Sequence, residues 1–174
     1  MTKPAVLERA VVEPRVATEL LAQRRLAIVG ASDDPKSITR PITEALRAHG
    51  TTVVPVNPAH PTVGGETCYP SVTDIPEPVD GVIVATNREH AAGVVRSCIA
   101  AGVRRIWLFQ GIGQGSVSTE AVELCRANGV TVVEGACPLM FLEPMGWAHR
   151  VHRAVRRHRG AIAVTDAATA PTTA

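Results

Sequence analysis

Apolar residues recur along this chain in two alternating rhythms. A short unbroken run at Leu26–Val29 and apolar-rich stretches at Thr52–Val56, Val79–Ala85, Arg105–Phe109 and Thr131–Val133 have the length of strands buried in a parallel sheet. Between them the apolar positions take a helical spacing: Ile42, Ala45, Leu46 and Ala48, then Ala91, Val94, Val95, Cys98 and Ile99. A further helix opens at Ser118, whose Ser-Thr-Glu start supplies a cap and negative charge. Gly50 and Gly129 stand where such helices stop, and Pro41 sits in a first turn, where a missing N–H costs nothing. Residues 5–24 carry Leu7, Val11, Val12, Val16, Leu20 and Leu21, a looser period interrupted by Pro14 that predicts one or two short helices on the outside of the domain. A small third strand is expected at Glu66–Tyr69, one helical turn around Val72–Ile75, and a last helix over Trp147–Arg159.

Strands alternating with helices imply an α/β fold, a doubly wound parallel sheet with right-handed crossovers and helices on both faces. Counting strands along the chain, the expected order is 3-2-1-4-5-6. The topological switch then falls between strands one and four, and a ligand crevice opens between Gly30–Ser32 and Thr86–Asn87. The chain divides into an N-terminal helical extension (1–21), the sheet domain (22–159, ending in the basic helix 147–159) and a disordered tail (160–174).

The stretch after strand one carries the candidate chemistry. Gly30 ends the strand without a Cβ, so a phosphate can approach the backbone, and free N–H groups of the turn and the next helix are expected to point at it. Lys36 and Arg40 lie close enough in sequence to neutralise charge. An ordinary strand–helix turn with a surface lysine has the same pattern, so the motif alone leaves both readings open. A dinucleotide site would add Gly-x-Gly-x-x-Gly and an acid about 20 residues on. Here Gly30 stands alone and Asn57 occupies the acid's place, which points away from NAD.

Composition narrows this further. Only 3% of the 174 residues are aromatic against 45% hydrophobic, so the core is Val, Ala, Leu and Ile. The net charge of +2 hides an asymmetry: residues 1–146 hold 13 basic and 15 acidic side chains, whereas 147–159 hold five Arg and no acid. One short basic cluster is a weak signal for nucleic acid, and none is expected as a partner. No apolar run approaches the ~20 residues of a membrane span, and the first ten residues lack the apolar core of a secretory signal. A cytoplasmic protein is expected, with Cys68, Cys98, Cys125 and Cys137 as reduced thiols, since no C-x-x-C spacing suggests zinc or a disulfide framework.

Five blocks, Val29-Gly30-Ala31-Ser32-Asp33-Asp34-Pro35, Val54-Pro55-Val56-Asn57-Pro58, Cys68-Tyr69-Pro70-Ser71, Pro76-Glu77-Pro78-Val79-Asp80 and Ala136-Cys137-Pro138, follow one another in register. Together they resemble the CoA-binding domain family, related to the N-terminal domain of the succinyl-CoA synthetase α subunit, over roughly residues 22–145. The resemblance implies a Rossmann-like fold and a coenzyme A or acyl-CoA ligand. It places Gly30, Ala31 and Ser32 at the ADP phosphates, Val56 and Asn57 beside the adenosine, and His60 toward the 3′-phosphate. Ala85, Thr86 and Asn87 would touch the nucleotide or the start of the pantetheine arm. Ser37 and Thr39 stand where many relatives have a basic residue and a serine, so Lys36, Thr39 and Arg40 become the candidates for phosphate contact.

The synthetases act through a phosphohistidine on a further domain, and no catalytic residue is assigned here. Cys137, after strand six, could meet the ligand's thiol or be buried structurally. His149 and His152 share a helical face at metal-ligand spacing, but among five arginines a solvated face is the better reading. The function expected is a stand-alone, non-catalytic CoA or acyl-CoA carrier or sensor. The alternatives are a small NAD(P)-binding redox sensor or reductase, and a non-catalytic partner subunit docking through its basic C-terminal helix; a homo-oligomer or a partner protein is allowed for.

Overall fold

The computed structural model describes residues 14–112, 115–142 and 163–165. In chain order the elements are α1 (Pro14–Leu21), β1 (Arg25–Val29), α2 (Thr39–Ala48), β2 (Thr52–Val56), β3 (Thr62–Val63), β4 (Glu66–Thr67), β5 (Gly81–Val84), α3 (Arg88–Ala100), β6 (Arg105–Phe109), α4 (Thr119–Ala127), β7 (Thr131–Ala136) and β8 (Ala163–Thr165). Single 3-10 turns lie at Val72–Asp74 and Pro138–Met140.

β1 is central because Leu26, Ala27, Ile28 and Val29 are all buried, an unbroken apolar run that suits a strand covered on both faces. It pairs in parallel with β2 on one side and β5 on the other, giving the sheet order β2-β1-β5-β6-β7-β8. Alternate residues feed opposite cores. Leu26 and Ile28 join Ile42, Leu46, Trp107 and Met140 on the α2 face. Ala27 and Val29 join Val84, Val95, Cys98 and Cys125 on the face of α3 and α4. Trp107 is fully buried, and its indole N–H donates to the Ala136 carbonyl at 2.9 Å, so this large side chain enters the core without an unsatisfied donor.

The α/β doubly wound architecture is as expected, with differences at the margins. Glu66–Tyr69 does not form a third parallel strand. Gly64 and Gly65, both at positive φ, turn the chain into the small β3–β4 hairpin, and only Tyr69 reaches the sheet, as a parallel bridge to Val56. Pro70 follows at once and has no N–H to extend that ladder. β8 lies within the stretch expected as a disordered tail; its backbone pairs antiparallel with Val132, Val133 and Glu134, covering an edge that β7 would otherwise leave open. Pro14 opens α1 rather than interrupting it. That helix belongs to the core, since Ala17, Leu20 and Leu21 are buried with Trp107 and Met140. The N-terminal residues 1–13 and the predicted basic helix at 147–159 lie outside the described residues.

Candidate functional site

Three strand ends, those of β1, β2 and β5, meet at the carboxyl edge of the sheet. Gly30 and Ala31 both donate their N–H groups to the Val56 carbonyl, at 2.8 and 3.3 Å, and Ala85 donates to the Val29 carbonyl at 2.8 Å. Gly30 has φ +92°, and a Cβ there would stand 2.6 Å from the Ala85 carbonyl oxygen. The glycine is therefore required by the close passage of the β5 loop, before any ligand is considered.

The amide cradle expected after β1 is already engaged. Besides Gly30 and Ala31, Ser32 donates its N–H to Thr39 Oγ1 at 3.2 Å, and Asp34 donates to Ser32 Oγ at 3.1 Å. Thr39, buried at the start of α2, shares a 2.7 Å hydrogen bond with Ser37 Oγ, which also accepts from the Thr39 N–H. In the first turn of α2 the Thr39 N–H goes to Ser37 Oγ, the Arg40 N–H to the Ser37 carbonyl at 3.4 Å, and Pro41 has no N–H, so these three positions offer an anion no free donor. This corrects the expectation of free backbone donors: a short Ser/Thr-rich loop satisfies itself.

Two hollows flank this ridge. The larger, about 650 Å³, opens between β1, β5 and α3 and is lined by Gly30, Val56, Asn57, Pro58, Pro70, Ser71, Val72, Ala85, Thr86, Asn87, His90, Gly93, Val94 and Ser97 among others. The smaller, about 390 Å³, lies between α2 and the β3–β4 hairpin and is lined by Ile28, Ala31, Ser32, Asp33, Thr39, Arg40, Thr43, Glu44, Arg47 and Val63 among others. Asp33 Oδ1 accepts from Gly64 N at 2.8 Å and Arg47 pairs with Glu66 at 2.7 Å, which seats the hairpin over the smaller hollow. The larger cleft thus gathers Gly30, Val56, Asn57, Ala85, Thr86 and Asn87 of the predicted set. Ala31, Ser32, Thr39 and Arg40 line the smaller one. Lys36 and His60 are exposed and line neither, and Cys137 is buried in the core on the α2 face.

Asn57 sits on the ridge. Its Nδ2 donates to the Ala31 carbonyl at 2.9 Å, tying the ends of β1 and β2 together, and its Oδ1 accepts from Ala59 N at 2.9 Å in a local turn. Among the described residues the cleft behind it carries no Lys, Arg, Asp or Glu, and His90 is its one titratable lining group. Cys68 lies below, its thiol donating to the Asn57 carbonyl at 3.7 Å, with burial pushing its pKa up. Burial also pushes the Cys98 and Cys125 thiols up to about 12, consistent with core packing rather than reactivity.

Several cleft residues escaped the sequence reading of the site. Gly93, Val94 and Ser97 were missed, although they share one stripe of α3 at i, i+3, i+4, i+7 spacing with His90, which the sequence alone allowed either to reach the crevice or to lie on the surface. Ser71 caps the turn at Val72–Asp74, its Oγ accepting from Thr73 N. Ser116, with no exposed surface, had no sequence signal: its hydroxyl reaches the Val84 carbonyl at 2.7 Å and the Thr86 carbonyl at 2.8 Å. Among the described residues there is no cluster of metal-ligating side chains, and no helix is long and apolar enough to cross a membrane.

Comparison with known proteins agrees with this architecture. The chain is 29% identical over 118 residues to the Bacillus subtilis protein named Uncharacterized protein YneT, covering 68% of this chain and 84% of that one. It is 31% identical over 122 residues to the acetate–CoA ligase (ADP-forming) I of Archaeoglobus fulgidus, covering 64% of this chain but only 17% of the ligase. A solved structure, a hypothetical protein from Pyrococcus horikoshii OT3, superposes with a TM-score of 0.70 at 28% identity, covering 83% of this chain and 97% of that one. The family described as CoA binding domain matches residues 24–143, and the chain belongs to that family.

Proposed function

We propose that the protein binds coenzyme A or an acyl-CoA in the larger cleft and serves as a carrier or sensor of CoA species. The observation that carries this reading is the cleft itself, set where the strand order reverses, walled by Val56, Val72, Ala85 and Val94 and edged by neutral hydrogen-bonding groups on Ser71, Thr86, Asn87 and Ser97. Such a lining suits an adenosine moiety, flat and apolar with a polar rim. Family membership and the acetate–CoA ligase match supply the ligand class. The diphosphate would cross the Gly30–Ala31 ridge toward Arg40, a cation lining the neighbouring hollow that makes no ion pair among the described residues. Asn57 stands where a dinucleotide site carries an acid, and a neutral amide already bonded to Ala31 and Ala59 lacks the carboxylate that accepts both ribose hydroxyls of NAD.

Isothermal titration with CoA, acetyl-CoA, dephospho-CoA, NADH and NADPH tests the proposal. Saturable CoA or acetyl-CoA binding without a nicotinamide response is expected. NADH binding with no CoA response would overturn it.

A further inference from the structure

Beyond β5 the parallel ladder with β6 stops at Val84↔Leu108, yet the chain must still place Ala85, Thr86 and Asn87 as one wall of the cleft. Val84 is the last residue of that ladder, and Thr86 lies beyond it. Ser116 ties the two together: its one hydroxyl proton is shared between their carbonyls at 2.7 and 2.8 Å, in a position with no exposed surface. Ser116 is itself fixed from behind. Its N–H donates to the Phe109 carbonyl at 2.8 Å, Gln110 and Gly115 form an antiparallel bridge, and a Cβ on Gly115 would stand 2.6 Å from the Phe109 oxygen. The hydroxyl therefore has little freedom to follow the β5 loop; the loop is held to it.

We infer that Ser116 is a positioning residue of the cleft: without touching ligand, its hydroxyl sets where Thr86 and Asn87 stand. It also joins the β5 loop to the turn after β6, where Ile112 is almost fully exposed. The inference deepens the CoA reading and rests on it for the affinity readout alone. Contact with ligand at Thr86 should reach the Gln110–Ile112 backbone through this one hydroxyl.

The test compares wild type with Ser116→Ala by CoA titration, titration with adenosine 3′,5′-bisphosphate, and amide hydrogen exchange with and without CoA. Loss of a buried hydrogen bond that organises a site is expected to weaken both ligands alike, by about tenfold. Exchange should quicken at Thr86–His90 while β1, β2 and β6 keep wild-type protection. CoA should slow exchange at Gln110–Ile112 in wild type and not in Ser116→Ala, a response that a merely stabilising serine would not produce. Should the alanine variant fail to fold, Ser116→Cys, a weaker donor of similar size, is put through the same measurements. Unchanged affinity with unchanged exchange at Thr86–His90 overturns the inference, as does a uniform loss of protection across the sheet. If wild type binds no CoA, the ligand reading fails, and exchange at Thr86–His90 in the unliganded variant still decides the role of Ser116.

Discussion

Replacing Gly30 by alanine perturbs the point where the β1 and β5 loops pass closest. Two costs can be separated. A non-glycine residue at φ +92° costs roughly 1–2 kcal/mol for the left-handed backbone. The new Cβ also stands 2.6 Å from the Ala85 oxygen, where ordinary contact begins near 3.4 Å, so that carbonyl must retreat by about 0.8 Å. Retreat strains the Ala85 N–H to Val29 bond and the Ser116 clamp on Thr86, worth another ~1–2 kcal/mol. Gly50 is the control, because at φ +84° a Cβ would meet nothing within 4 Å, leaving the backbone cost alone. At about 3 °C per kcal/mol for a chain of this size, Gly30→Ala should lower Tm by about 6–12 °C and Gly50→Ala by about 3–6 °C. Circular dichroism melts of the two variants measure the difference. A Gly30→Ala variant no less stable than Gly50→Ala would refute the close passage of Ala85.

Three further outcomes are expected. Arg40→Ala should weaken CoA binding by about fivefold while Lys36→Ala leaves it within about twofold, since Arg40 lines the hollow beside the ridge and Lys36 lines neither; equal losses in calorimetry would refute that placement. Asn57→Asp puts an oxygen against the Ala31 carbonyl where an N–H now donates, costing about 1–3 kcal/mol, and should gain no NADH affinity; NADH fluorescence titration with a thermal melt checks both. Burial raises the Glu134 pKa, only partly offset by Arg126, so the folded state holds that proton more tightly than the unfolded chain and loses stability as pH rises through the two values. Glu134→Gln should therefore be more stable than wild type at neutral pH, with the gap closing below the ordinary carboxylate range; urea melts at several pH values test this, and a gap that widens in acid would contradict it.

Much of the fold was legible because burial on both faces leaves unbroken apolar runs. Arg105–Phe109 and Thr52–Val56 fall where the pattern predicts them, and Ser118 caps α4 through Ala121 N as its Ser-Thr-Glu opening suggests. The misreadings lie where long-range pairing decides. Tyr69 touches the sheet at a single bridge because Gly64-Gly65 and Pro70 redirect its neighbours, and β8 exists only because β7 presents an open edge. At the candidate site, Gly30 and Thr86 were readable from the strand order, whereas Asn57 was drawn in by the resemblance. The separation of Arg40 from the larger cleft was not readable, since it depends on which side of the Ala31–Asn57 ridge each side chain falls. Ser116 was invisible for the same reason: a serine in a glycine-rich turn carries no sign of the two carbonyls, 30 and 32 residues away, that it serves.

The most direct measurement is a CoA titration followed residue by residue by amide NMR. Shifts concentrated at Gly30, Asn57, Ser71, Thr86 and His90, the residues that converge on the larger cleft, are the predicted result. Saturating CoA that leaves those amides unmoved, or that moves only residues remote from the β1–β5 switch point, would contradict it.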